Sequence, residues 1–285
     1  MNENSPLQLP AINSWINEAT AQLKRRGIST AQLDAELILA HTLRKSRTYL
    51  HAHADDSLTD REQEIADARL SLRLERVPVA YIIGHKEFYG RQFRVTRATL
   101  IPRPESESLI ELLTRALPSS ARLLTDDPLR LVDVGTGSGI LGITAKLQFP
   151  ELDVTLADVS RHALKVAEQN ATILKADVTL LQSDLLTTYP FTADIIIANL
   201  PYVNPEWERS PETDHEPELA LFAQNNGLAL IFELLRQSRD RLVQGGHMIL
   251  EADPEQHTSI TTEAKQYGLL VQEIDGYGIL LQKLK

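Results

Sequence analysis

Three short stretches carry residue types that could do chemistry. Asp133-Val-Gly135-Thr136-Gly137-Ser138-Gly139 sets three glycines at alternate positions between an apolar run and a helical run. Glycine lets the chain turn sharply and lets a ligand approach the main chain, and a helix that begins there leaves N–H groups free. Asp158 ends the next apolar run, and Asp184 with Leu185 ends the one after it. At a strand end, a carboxylate can accept both hydroxyl hydrogens of a ribose. Asp184 falls where an adenine edge would lie. The glycines miss the dinucleotide fingerprint, because position 140 is Ile, and no Gly-Lys-Ser/Thr follows for a phosphate loop. Ser138 is no nucleophile elbow, since positions 136 and 140 are Thr and Ile. Together the positions point to S-adenosylmethionine, held by Gly135, Thr136, Gly137, Ser138, Gly139, Asp158 and Asp184.

The third stretch is Asn199-Leu200-Pro201-Tyr202, which ends the run Ile195-Ile196-Ile197-Ala198. This tetrapeptide suits methylation of a planar nitrogen. The Asn199 side-chain oxygen can accept one N–H of an NH₂ group and the Leu200 carbonyl the other. Pro201 stiffens the chain, and Tyr202 offers a flat face for stacking. An amide nitrogen is a poor nucleophile because its lone pair is delocalised. Two acceptors raise its electron density and aim it, and in-line placement can remove up to ~7–11 kcal/mol of barrier. The expected catalytic residues are Asn199, Pro201 and Tyr202, and the expected substrate contacts are these with Leu200. The eight histidines are scattered and none stands in His-Glu-x-x-His, so no metal is expected.

These residues need a scaffold. The chain has 285 residues, 42% apolar and 24% charged, with no cysteine. Disulfides, thiolate nucleophiles and zinc–thiolate sites are excluded. The start, Met1 to Pro6, has neither a basic region nor an apolar run, and no stretch is long and apolar enough to span a membrane. A cytoplasmic monomer is the expectation. Residues 1–100 carry net +2 and residues 101–285 net −12, which argues against tracking a phosphate backbone.

Residues 1–78 read as a helical bundle. Ile12, Trp15, Ile16, Ala19 and Leu23 form one stripe. Ser29 with Gln32 and Thr59 with Glu62 look like capping boxes. The first opens a helix through Leu33, Leu37 and Ala40, and the second a helix with Ile65, Ala68 and Leu72 on one face. Residues 79–104 read as a β-hairpin connector, from Val79-Ala-Tyr-Ile-Ile83 and Gln92-Phe-Arg-Val-Thr96. In residues 105–285 strands alternate with helices, as in a doubly wound sheet. Leu269–Ile274 and Gly278–Gln282 are separated by only Asp275-Gly276-Tyr277. That gap cannot hold a crossover helix, so the last strand must run antiparallel. A seven-stranded sheet with such a terminal hairpin is the class I S-adenosylmethionine-dependent methyltransferase fold.

The sequence resembles the HemK/PrmC protein-(glutamine-N5) methyltransferases, which act on peptide chain release factors. The resemblance rests on Pro78-Val-Ala-Tyr-Ile-Ile-Gly84 with Glu87-Phe88, on Leu100-Ile-Pro-Arg-Pro-Glu-Ser-Glu107, on the motifs above, and on Glu216-Pro217, Ala220-Leu221 and Gly227-Leu228. It implies that the Gly-Gly-Gln loop of a release factor enters the site and that the glutamine amide is methylated. It also implies that residues 1–78 help dock that protein, and that Leu185 and Asn199 contact the cofactor; the charge balance adds the expectation that no nucleic acid is bound directly. The sequence departs from the family at Leu200, where proline is usual, at Leu185, usually aromatic, and at Gln224-Asn-Asn226, which lacks the usual Gly and Asp.

Three alternatives stay open on the residues alone. One is a glutamine methyltransferase of a ribosomal protein. Another is an adenine-N6 methyltransferase of nucleic acid, since Asn-Leu-Pro-Tyr also occurs there. The last is a scaffold that has lost catalysis. A nicotinamide oxidoreductase is disfavoured by the missing third glycine and the terminal hairpin.

Overall fold

The computed structural model describes residues 9–117, 127–204 and 206–284. The opening residues Met1 to Pro6, read above, lie outside the described residues. The chain divides into two compact units, Met1–Gly84 and His85–Lys285.

The first unit is helical: α1 (Ile12–Arg25), α2 (Ala31–Leu43), α3 (Arg47–Ala52), α4 (Asp60–Leu74) and α5 (Val79–Ile83). The α1 stripe is buried as its spacing predicts, at Ile12, Trp15, Ile16, Ala19 and Leu23. Thr59 caps α4 in a full capping box with Glu62. Four expectations need correction. Helix α2 starts at Ala31 after Thr30, with no side-chain cap, so Ser29 does not open it. Its core face is Ala31, Ala35, Ile38 and Leu39, while Leu33 is exposed. Helix α4 buries Ala66, Leu70 and Arg73 and exposes Ile65 and Leu72. Its sequence holds two half-apolar stripes. The one that turns inward brings Arg73 onto Asp34 at 2.7 Å, which satisfies both buried charges. Finally, Val79–Ile83 is a turn of helix, not a strand. Pro78 presets its entry and Gly84, at φ 80°, ends it, so local β preference is overridden.

The second unit opens with the hairpin β1 (His85–Phe88) and β2 (Arg91–Arg94), then α6 (Glu107–Ala116). The rest runs β3 (Arg130–Val134), α7 (Ile140–Gln148), β4 (Asp153–Asp158), α8 (Arg161–Leu174), β5 (Thr179–Gln182), β6 (Ala193–Ala198), α9 (Ala229–Arg241), β7 (Leu242–Glu251), α10 (His257–Gln266), β8 (Leu269–Asp275) and β9 (Gly278–Lys283). The seven strands order as β5-β4-β3-β6-β7-β9-β8. Strands β3 to β7 are mutually parallel, and β9 runs antiparallel to both β7 and β8. This is the doubly wound sheet with a terminal hairpin. Its two faces are covered by separate apolar cores, one around Val132, Ile196, Leu234 and Met248 and one around Leu131, Ile195, Ile143 and Leu109. The order reverses between β3 and β6, and such a switch point opens a crevice at the carboxyl ends of the strands.

Candidate active site

The crevice is a cleft of about 350 Å³ at that switch point, within the range of small-molecule sites. Its walls come from four strand ends and two outlying segments. Gly135 and Gly137 follow β3, Asp158 and Val159 close β4, Asp184 and Leu185 follow β5, and Asn199, Leu200 and Pro201 follow β6. Ala98 to Leu100 and Pro217 to Ala220 add further walls.

The glycine loop needs its glycines for two different reasons. Gly135 (φ 71°) and Gly137 (φ 57°) lie in the left-handed region. A Cβ on Gly135 would come within 2.7 Å of Leu200 Cδ2, whereas one on Gly137 would stand in open space. The loop is held by hydrogen bonds from Gly135 and Thr136 amides to the Ala157 carbonyl, 2.8 and 2.9 Å. Asn170, itself fully buried, donates to the Ser138 and Arg94 carbonyls and so pins the loop to the hairpin.

Asp158 lies at the cleft with both oxygens oriented. Oδ2 accepts from the Gly137 amide at 2.9 Å and Oδ1 from the Ser160 amide at 2.8 Å. The Val159 amide adds a third backbone hydrogen bond to this carboxylate. Burial raises its pKa, against the lowering effect of those amides. Asp184 is exposed, and its carbonyl rather than its carboxylate is engaged, by Thr187. Leu185 is buried at φ 49°, a conformation that costs a non-glycine residue roughly 1–2 kcal/mol. An aliphatic wall of Val159 and Leu185 thus takes the place of an aromatic one.

Asn199 donates from Nδ2 to Ser106 Oγ at 3.0 Å. Its Oδ1 has no partner among the described residues. The Leu200 side chain is buried and packs over Gly135, so leucine here supports the glycine loop from beneath. Tyr202 donates from its hydroxyl to Glu251 Oε1 at 2.9 Å, and burial beside that carboxylate pushes its pKa far up. Its carbonyl accepts from Gln256 and abuts Gly227, where a Cβ would lie 1.9 Å from it.

The structure therefore gathers Gly135, Gly137, Asp158, Asp184, Leu185, Asn199, Leu200 and Pro201 around one cleft. It places Thr136, Ser138, Gly139 and Tyr202 behind the wall. Thr136 binds Asp133 at 2.6 Å, Gly139 caps α7, and Tyr202 holds Glu251. Sequence reasoning missed several contributors. Gly142 supplies the close helix–strand approach that position 140 lacks: its amide meets Asp133 Oδ2 at 2.8 Å, and a Cβ there would lie 2.3 Å from Leu156. Ser106 and Glu251 reach Asn199 from far away in sequence. Glu216 accepts from the Ile101 amide at 3.0 Å and pairs with Arg103, which ties two cleft walls together. Glu216 stands in the Glu216-Pro217 motif that carries the resemblance, but no sequence signal gave it this tie.

Fold and site together define a class I methyltransferase domain. A methyltransferase from Pyrococcus furiosus shares the fold, with a TM-score of 0.53 at 17% identity over 77% of this chain and 98% of that one. Residues 14–84 match the PrmC N-terminal domain, and residues 110–214 the methyltransferase small domain. A release factor glutamine methyltransferase of Koribacter versatilis is 37% identical over 84% of this chain and 86% of its own length. One of Escherichia coli is 32% identical over 86% and 87%. The chain belongs to the release factor glutamine methyltransferase family.

Proposed function

We propose that this protein transfers a methyl group from S-adenosylmethionine to the side-chain amide nitrogen of the glutamine in the Gly-Gly-Gln motif of a peptide chain release factor. The observation that carries this reading is the Asn199 amide. Its nitrogen is spent on Ser106, while its oxygen, at a strand end beside a glycine-lined cleft, is left to accept a hydrogen bond.

The residues present suit the cofactor. Gly137 leaves space where any side chain would intrude, Asp158 presents its carboxylate at the cleft beside the loop, and Val159 and Leu185 make an apolar slot for a base. When bound, S-adenosylmethionine supplies a methyl group on a positively charged sulfur. The chain orients and shields. Gly135, Gly137, Asp158, Asp184 and Leu185 hold the donor. Asn199 Oδ1 and the Leu200 carbonyl accept the two N–H hydrogens of the substrate amide, and Pro201 keeps that carbonyl in place. Tyr202 supports the clamp from below through Glu251. The helical unit, Met1–Gly84, contributes release-factor contacts. No described helix is long and apolar enough to cross a membrane, in keeping with a role in the cytoplasm.

The test is mass spectrometry of a purified release factor after incubation with the full chain and the cofactor. One added methyl on the Gly-Gly-Gln glutamine is expected. An unmodified glutamine there, with methyl instead on a ribosomal-protein glutamine or on adenine, would overturn the assignment.

A further inference from the structure

Asn199 can serve a substrate NH₂ only if its oxygen, not its nitrogen, faces the cleft. The two ends exchange by one rotation and have nearly the same shape. Their neighbours decide between them. Nδ2 donates to Ser106 Oγ. Ser106 is fully buried, so its own hydroxyl hydrogen needs an acceptor. The Glu251 carboxylate faces Ser106, Asn199 and Tyr202 together. Its Oε1 takes the Tyr202 hydroxyl, and its Oε2 is buried with no completed hydrogen bond.

We infer that Glu251 is a positioning residue: acting on the Asn199 amide both directly and through Ser106, its anionic carboxylate fixes which way that amide points, so that the clamp accepts hydrogen bonds at the substrate nitrogen. The inference rests on the amide-clamp reading above. In the inferred arrangement the hydrogens run toward Glu251, from the Asn199 amide nitrogen directly and through the Ser106 hydroxyl. Such a chain polarises its members and adds negative charge to Asn199 Oδ1. Protonation of Glu251 reverses the chain. The neutral acid donates to Ser106, Ser106 donates to Asn199 Oδ1, and the NH₂ turns to the cleft, where it meets the substrate donor to donor.

The surroundings raise the pH at which Glu251 takes up its proton. Burial raises the Glu251 pKa most, and Glu105 adds like charge. Ser106, Tyr202 and Asn199 oppose this with hydrogen bonds, and Tyr202 is itself flanked by Tyr277 and Asp253. The net direction is upward, so Glu251 loses its charge above the usual carboxylate range.

The experiment follows the Asn199 side-chain amide by ¹⁵N–¹H spectroscopy in the full chain labelled at asparagine, assigned by its loss in Asn199→Ala. The wild type is titrated with pH, and kcat and cofactor Kd are measured in parallel with a release factor. The resonance and kcat should move through one shared midpoint while Kd stays level. Glu251→Gln should remove that midpoint and lower kcat by up to ~100-fold, the scale of a small misplacement. Ser106→Ala should act alike, and Ser106→Thr should recover most of the loss. A resonance indifferent to pH, or a Glu251→Gln variant with the wild-type profile or a Kd loss equal to its kcat loss, overturns the inference. If the wild type methylates no release factor, the functional reading fails, and the titration of the Asn199 resonance alone decides this one.

Discussion

Both units bury carboxylates paired with arginine, Asp34 and Glu36 in the helical unit and Glu216 with Arg103 in the sheet unit, but among the described residues the sheet unit alone adds buried carboxylates that no cation meets. In the helical unit Asp34 meets Arg73 at 2.7 Å, and Glu36 accepts from Arg47 at 2.9 Å and Gln32 at 3.0 Å. Burial pushes the Glu36 pKa up, but Arg47 and Gln32 more than reverse it. In the sheet unit Asp133, Asp158 and Glu251 meet no cation among the described residues, only amides and hydroxyls. Burial raises all three, and Asp133 reaches about 6. Unpaired buried acids cost stability, and they cluster where chemistry needs them. Asp133 and Asp158 lie toward the carboxyl ends of the adjacent strands β3 and β4, Glu251 lies at that of β7, and of the three Asp158 alone lines the cleft. The comparison separates buried acids neutralised by a cation from those held by amides and hydroxyls.

The largest expected effect breaks the structural pair. Arg73→Met should leave Asp34 buried and uncompensated, at a loss of about 3–5 kcal/mol. Urea unfolding would measure it, and cofactor affinity should not change. A loss below about 1 kcal/mol would erase the contrast. Next comes the clamp. Asn199→Ala should lower kcat by about 10²–10³-fold, the scale of one preorganised polar contact, with cofactor Kd nearly constant by calorimetry. Comparable turnover would remove Asn199 from the chemistry.

Asp133 sharpens the comparison through pH. Its folded pKa of about 6 exceeds the ordinary 3.8. Between those values the folded state binds more protons than the unfolded one, so stability falls as pH rises across that window and is level above it. The total is roughly 3 kcal/mol. Asp133→Asn should flatten that slope in unfolding curves taken from acid to neutral pH. The smallest effect concerns Asp158. Its replacement by Asn should weaken cofactor binding about tenfold, the worth of a hydrogen bond to a charged group. An unchanged Kd would separate that carboxylate from the ribose.

The sheet was largely legible. The apolar runs at 131–134, 154–157 and 195–198 are all strands, because fully buried parallel strands need continuous apolar residues. The hairpin of β8 and β9 followed from a gap too short for a crossover. Helix α4 was less legible, since its two stripes were equivalent until Arg73 found Asp34. Val79–Ile83 was illegible in five residues, because a single helical turn has too little pattern to outweigh β-branched composition. At the site, the residues next to glycines and strand ends could be read. Ser106, Glu216 and Glu251 could not, because each acts on a partner 49 or more positions away.

By itself, the sequence determined the periodicities, the turn chemistry and the donor and acceptor types available at each strand end. These depend on local backbone sterics and on the alternation of apolar and polar side chains. Only the tertiary structure decided which of the expected contacts face the cleft and which stand behind it, as with Tyr202. It alone brought Ser106 and Glu251 to Asn199. The reason is physical: the direction of an amide, and the charge of a buried acid, are set by neighbours that only the folded chain brings within hydrogen-bond range.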